Sequence, residues 1–320
     1  MLAPLPAKTL DLVALGEAMV EFNQTRAGEP HYLQGFGGDT SNAVIAASRA
    51  GATTAYLTRL GDDPFGNSLV ELWKTERVDT AGIARDAQAP TGVYFVTHGA
   101  QGHAFHYLRA GSAASRMTPA WLEQTVVRNV IARAKILHVS GISLAISPDA
   151  CATVLAALQW AKAAQTLVSF DSNLRLRLWP LERAQATITQ VLGLCDVFLP
   201  SLDDMQTLTG YSDPHAIVDW SHAHGARQVV LKLGGDGALV SDGTRREHVP
   251  GHRVTVHDAT GAGDCFCGNV LARLTQGDDL FAATRYANAA ASLAVQGFGA
   301  VAPLPTASQV WQVLRNYAAR

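Results

Sequence analysis

Cysteine is scarce in this 320-residue chain. Cys151, Cys195, Cys265 and Cys267 are too few and too scattered for a disulfide framework, and no two stand in C-x-x-C spacing. No apolar run approaches the ~20 residues that cross a bilayer. Met1 to Leu10 lacks the charged start and long apolar stretch of a secretory leader, so the expected setting is the cytoplasm, with no membrane partner. Charged residues make up 16% and the net charge is −2. With no Lys/Arg run to track a phosphate backbone, nucleic acid is a poor partner. Internal repeats, low-complexity tracts and Gly/Ser/Pro linkers are also missing. G-x-x-x-x-G-K-[ST] does not occur. In the glycine clusters at 35 and 261, Thr40 and Phe266 stand where G-x-G-x-x-G needs its third glycine, so P-loop and dinucleotide-binding readings lose support.

What is present is a strand-then-helix rhythm. Ile136 to Val139, Leu167 to Phe170, Val197 to Leu199 and Val229 to Leu233 are short apolar runs of buried-strand type. Between them Pro148 to Ala164, Leu181 to Leu192, Ser201 to Thr209 and Pro214 to His224 carry helical patterns, with Gly210 and Gly225 as stops. Such alternation predicts an α/β fold with a mainly parallel sheet covered on both faces. Gly92 to Thr97 and His103 to Leu108 flank Gly99-Ala100-Gln101-Gly102 and read as a hairpin. Leu12 to Phe22 and Tyr32 to Phe36 also look β-like. We place these strands, roughly 12–36 and 90–110, outside the main sheet as a small β-lid on a single domain spanning 1–320. His103 and His106 stand at i and i+3 on that hairpin, facing opposite sides, which argues against a metal pair.

Three glycine clusters carry chemistry. Asp258-Ala259-Thr260-Gly261-Ala262-Gly263-Asp264 follows the β-rich run Arg253 to Val256 and opens an apolar helix. Small residues at 261–263 let backbone N–H groups converge at a helix start, which suits a phosphate. A carboxylate at the rim, Asp264, fits a base that takes a proton from an attacking hydroxyl. The same residues also suit a glycine-rich turn with Asp264 as a capping acid. Gly35 to Asn42 leads into a small-residue helix over Ala43 to Ala50. There Gly37 and Gly38 admit a ligand, and Asp39 and Asn42 match hydroxyls, although a tight strand-to-helix turn explains them as well. Lys232-Leu233-Gly234-Gly235-Asp236-Gly237 lies at the end of a buried strand, where ligands sit in open α/β sheets and where plain β-turns also occur. Cys265 and Cys267 read as buried packing residues.

Gly37 to Asn42, Gly51, Gly61-Asp62-Asp63-Pro64-Phe65-Gly66, Val78-Asp79-Thr80 and Asp258 to Asp264 together resemble the ribokinase-like, or PfkB, carbohydrate kinases, in order from about Gly16 to Ala300. The resemblance implies a three-layer α/β sandwich with a β-lid, ATP and Mg²⁺ as co-substrates, and γ-phosphoryl transfer to a sugar hydroxyl. It places Asp264 on the catalytic base and Gly261, Ala262 and Gly263 on the anion hole. Asn173, Arg175, Lys232, Gly234, Gly235, Gly237, Gly261, Gly263 and Asn288 fall on the nucleotide side. Gly16-Glu17, Tyr107 to Ala114, Asp171 to Arg175 and Leu178-Trp179 resemble members that phosphorylate the primary hydroxyl of 2-keto-3-deoxy-D-gluconate, a sugar acid. The alternative substrate is fructose or another neutral sugar, and a non-catalytic sugar-binding protein is a further one. Gly37, Gly38, Asn42, Tyr94, Tyr107, Arg109, Arg175 and Asp264 would hold the sugar, with the Arg109 fork on its carboxylate. Ser201-Leu202-Asp203-Asp204 replaces the family's Asn-x-x-Glu, so Asp204 is the metal candidate with a shorter reach. Ala259 replaces the usual hydroxyl residue or proline, which leaves a monovalent cation open. Lid edges predict a homo-oligomer.

Overall fold

From Leu12 onward the strand Leu10–Leu15 is apolar on both faces because both faces are covered. A computed structural model describes residues 6–99 and 102–318 and sets this strand inside a nine-stranded sheet. The spatial order is Arg246–Pro250, Gly237–Ser241, Gln228–Lys232, Val197–Phe198, Leu167–Asp171, Ala134–Ser140, Leu10–Leu15, Thr54–Leu57, Val78–Asp79. All neighbours are parallel except the first two pairs, which are antiparallel. Parallel strands bring Ser140, Asp171 and Lys232 to one edge of the sheet, at the carboxyl ends.

Helices cover both faces and divide the core in two. One cluster packs Pro148–Ala163 and Leu181–Leu192 on the sheet, and the other packs Asp39–Arg49, Ala262–Thr275 and Leu280–Ala294. Local chemistry explains the helix ends. Ser147 accepts from the Ala150 amide at 3.0 Å, with Pro148 in the first turn, and Gly210 closes Leu202–Thr209 at φ 78°.

A second, four-stranded sheet has the order Tyr32–Gly37, Met19–Gln24, Val93–Gly99, Gly102–Leu108. Aromatic pairs bind its strands: Phe22 stacks on Phe95 at 5.2 Å and Tyr94 on Tyr107 at 5.5 Å. Three expectations are corrected. Leu12 to Leu15 belongs to the main sheet rather than to the small one, because its side chains serve both cores. The helix expected over Ala43 to Ala50 starts at Asp39, since the 39–42 residues pack inside the fold. Arg253 to Val256 forms no strand: Val256 is 59% exposed, and β propensity without a neighbour to pair with does not make a sheet. The hairpin tip residues Ala100 and Gln101, the side chain of His103 and the 1–5 segment of the leader argument lie outside the described residues. His106 bonds Thr97 Oγ1 at 3.1 Å.

Candidate active site

The helix Ala262–Thr275 opens on Gly261, whose φ of 72° lies in the left-handed region; a Cβ there would come within 3.0 Å of Ala300. Asp258 staples the loop. Its Oδ1 accepts from Thr260 N at 2.9 Å and its Oδ2 from Gly299 N at 2.8 Å. The Ala262 amide donates back to the Ala259 carbonyl at 3.2 Å, so the donors that a helix start leaves unpaired are those further in, at Gly263 and Asp264. Gly263 is backed by a cation: a Cβ on it would lie 3.6 Å from Lys232 Nζ.

Asp264 sits in the first turn, half-buried, and accepts from Asn42 Nδ2 at 2.8 Å. These residues are 222 apart in sequence. They meet because Gly268 lets its helix press on Asp39–Arg49, where a Cβ would overlap the Ala43 carbonyl. Burial, then the charges of Asp39 and Asp171, push the Asp264 carboxyl up to about 7, while the Asn42 bond and Lys232 oppose the rise. Such a group is poised to exchange protons near neutral pH.

Around it runs a polar chain. Asp39 accepts from Thr40 N at 2.8 Å and Asn173 Nδ2 at 2.7 Å, and burial raises its carboxyl above the usual range. Asn173, at φ 26°, follows Asp171, whose Oδ1 pairs with Lys232 Nζ at 2.9 Å. Burial works against the Lys232 charge, but Asp171 and its neighbours hold the ammonium above its ordinary value. Cys267 donates to Asp171 Oδ2 at 3.4 Å; burial and that carboxylate push its thiol well up, so it is an inert packing group rather than a nucleophile. Asp204 Oδ2 accepts from Ser172 Oγ at 2.8 Å and Leu174 N at 3.1 Å, and so anchors the turn after Asp171. No group of three or more His, Cys, Asp or Glu arranged for a metal occurs among the described residues.

On the small-sheet side, the Tyr94 hydroxyl packs against Gly37 and donates to Glu21 Oε2 at 2.5 Å. Burial, then Glu21, keep that phenol protonated far above neutral pH. Glu21 was not anticipated; its signal was a lone acid inside an apolar strand. Gly38 links the small sheet to the Asp39 helix, while Tyr107 stacks on Tyr94 and is 45% exposed. Arg109, expected on the sugar's carboxylate, already has a partner inside the protein. It forms an ion pair with Glu17, whose side chain is fully buried. Arg175 is exposed and donates to the Leu174 carbonyl at 2.9 Å.

On the other side of the Asp264 helix, Gly234 and Gly235 form an open floor on which a Cβ would meet nothing within 4 Å. Gly237 tucks against Val249, and Asn288 Nδ2 holds the Val249 and Pro250 carbonyls at 3.1 and 3.0 Å. Asn288 therefore braces this floor. An open cleft of about 810 Å³ runs between the small sheet and the 298–302 loop, touching Glu21, Gly35, Thr260 and Phe298. Asp264 is not in its lining, so it is the carboxylate cluster, rather than the cleft's volume, that marks the chemistry.

The chain is similar to known proteins over almost its whole length. The 2-dehydro-3-deoxygluconokinase of Thermoproteus tenax is 35% identical over 324 residues, covering 97% of this chain and 96% of that protein. Fructokinase-2 of Solanum habrochaites is 33% identical, covering 95% and 96%. A putative ribokinase II from E. coli, solved in complex with ATP and Mg²⁺, matches with a TM-score of 0.88 at 25% identity, covering 97% of this chain and 100% of that one. Residues 9–307 fit the model of the pfkB family carbohydrate kinases, and the chain, with its ribokinase-like α/β fold, belongs to that family of sugar kinases.

Proposed function

We propose that this kinase transfers the γ-phosphoryl group of ATP to the primary hydroxyl of 2-keto-3-deoxy-D-gluconate, giving the 6-phosphate and ADP. The observation that carries the reading is Asp264: a carboxylate raised by burial to about 7 and held by Asn42 in the first turn of a helix that opens on Gly261. The hydroxyl oxygen attacks the γ-phosphorus, its proton passes to Asp264, and the bond to the bridging β–γ oxygen breaks as ADP leaves. Gly261, Ala262 and Gly263 frame the hole, the Gly263 and Asp264 amides meet the transferring group, and Lys232 adds charge behind them.

The nucleotide lies along Gly234, Gly235 and Gly237, with Asn288 supporting that wall and Asn173 and Arg175 closing the turn beside Asp171. Mg²⁺ keeps several waters and takes most ligands from phosphates, so it needs only one or two carboxylates. Asp204 fits that demand, since only its Oδ2 is committed to the 172–174 turn. When bound, the ion screens phosphate charge. Gly37, Gly38, Asn42, Tyr94 and Tyr107 face the sugar, and the small sheet closes over it as a lid that excludes water, a competing acceptor.

One observation favours a second reading. With Arg109 paired to Glu17 and with Glu21 an acceptor beside Tyr94, the pocket also suits a neutral sugar such as fructose. Tyr32 and Leu108 are exposed on the face of the small sheet opposite Tyr94 and Tyr107, which supports a homo-oligomer that covers them. No described helix is long and apolar enough to cross a membrane, in line with a cytoplasmic setting. Phosphorus NMR of the product tests the assignment: a phosphomonoester coupled to the C6 protons of the sugar acid is expected, and no phosphoester with any sugar offered would reject it.

A further inference from the structure

Glu17 is a buried acid with no part in the phosphoryl transfer, and it stands where the chain crosses between the two sheets. It lies between Leu10–Leu15 and Met19–Gln24. A Cβ on Gly92, at the entry to Val93–Gly99, would fall 2.9 Å from its Oε1, and a Cβ on Gly38, where the chain returns to the main body, 2.5 Å from its carbonyl. Beyond Gly102–Leu108 the chain supplies Ser112, whose hydroxyl donates to Glu17 Oε1 at 2.5 Å, and Arg109, which pairs with Oε2. Four crossings thus converge on one residue, whose carboxylate cannot swing away.

Arg109 follows directly on the strand Gly102–Leu108, whose last registered pair is Val93 with Leu108, and its Cβ lies 3.6 Å from where a Cβ on Gly92 would stand. Its side chain as a whole keeps 11% exposure, although the Nη2 that faces Glu17 is buried. A ligand carboxylate reaching this arginine meets a charge that is already neutralised and must compete with a fixed internal one, whereas a neutral sugar meets no such competition. From this we infer that Glu17 is a specificity-determining positioning residue: it holds Arg109 in place, masks its charge, and lowers the preference for sugar acids relative to neutral sugars. The inference rests on the proposed sugar-acid substrate and on the expectation from the sequence that Arg109 holds its carboxylate.

Glu17→Gln keeps an acceptor for Ser112 and removes the charge. The test is the ratio of kcat/KM for 2-keto-3-deoxygluconate to kcat/KM for fructose, which does not depend on the fraction of folded enzyme. The ratio is expected to rise about tenfold or more in Glu17→Gln, the scale of a full charge a few ångströms away after screening. The rise should come through KM, and it should vanish in the Glu17→Gln/Arg109→Ala double variant. Glu17→Asp, which keeps the charge but loosens the pair, should give a smaller rise and serves if the first variant folds poorly. An unchanged ratio, with both substrates losing equally, would overturn the inference and leave the proposed function standing. If no variant turns over the sugar acid while fructose is still phosphorylated, Arg109 is not a carboxylate ligand, and both the proposed substrate and the inference fall.

Discussion

Replacing Asp264 by Asn separates the proton acceptor from everything else at the site. The amide oxygen still accepts from Asn42, the side-chain volume is unchanged, and the Gly261 turn and Lys232 are untouched. A positioned base contributes ~10²–10⁴ in rate, or roughly 3–5 kcal/mol of barrier. Asp264→Asn should therefore lower kcat by about that factor while KM for sugar and ATP changes only a few-fold, as read in a coupled ADP-release assay. Stability should move the other way. The folded-state pKa near 7 lies above the carboxyl's ordinary value of 3.8, so the native state holds a proton that the unfolded chain has already lost between those pH values. Wild-type stability from this group falls as pH rises from about 4 to 7 and stays reduced above. The full shift corresponds to ~4 kcal/mol. Because Asp39 shares the burden of charge at this site and Asp264 touches solvent, we expect the variant to gain only about 1–2 kcal/mol at pH 8, a rise of a few degrees in Tm. A variant with wild-type turnover would remove Asp264 as the base. One less stable than wild type at pH 8 would refute the electrostatic argument for its pKa.

The ionised form of Asp264 does the work, so wild-type kcat/KM should rise with pH along an acid limb centred near 7, and a flat profile between pH 5.5 and 8.5 would contradict this. Gly268→Val should push the 262–275 helix off Ala43 and part Asn42 from Asp264, costing about 1–3 kcal/mol in denaturant unfolding and more than tenfold in kcat. Lys232→Met leaves Asp171 buried without its cation and should cost about 3–5 kcal/mol; adding Asp171→Asn should recover part of that loss, which a double-mutant cycle measures. Arg109→Ala should raise KM for the sugar acid at least several-fold and for fructose little, and equal effects on both would speak for a purely structural arginine.

The fold was legible because each element announces itself locally. Pro214–Ala223 has Asp213 as its cap, a proline in its first turn and Gly225 beyond its end, and Leu181–Leu192 has helical apolar spacing; none of these needs a partner to be read. Gly261, Gly263 and Asp264 were legible for a similar reason, since the turn, the helix start and the acid are contiguous. What sequence reasoning missed is tertiary pairing. Nothing near Arg109 signals that Glu17, ninety-two positions earlier, takes its charge, nor does Tyr94 announce that its hydroxyl will be spent on Glu21. A usable sign did exist: Glu17 interrupts the apolar run between two strands, Glu21 sits inside a strand and Asp171 ends one, and an acid buried at such a place needs a partner. Arg253 to Val256 erred in the opposite sense, because residue preference alone says nothing about whether an adjacent strand is available.

The most direct test of the account is a competition: ADP release and product analysis by purified protein given ATP and Mg²⁺ with equal concentrations of 2-keto-3-deoxygluconate and fructose, beside ribose and a no-sugar control. Sugar-dependent ADP release with the 6-phosphate of the sugar acid as the main product is the predicted result, abolished by Asp264→Asn. ADP release indifferent to sugar, or unaffected by that substitution, would contradict the claim that Asp264 drives transfer to a sugar hydroxyl.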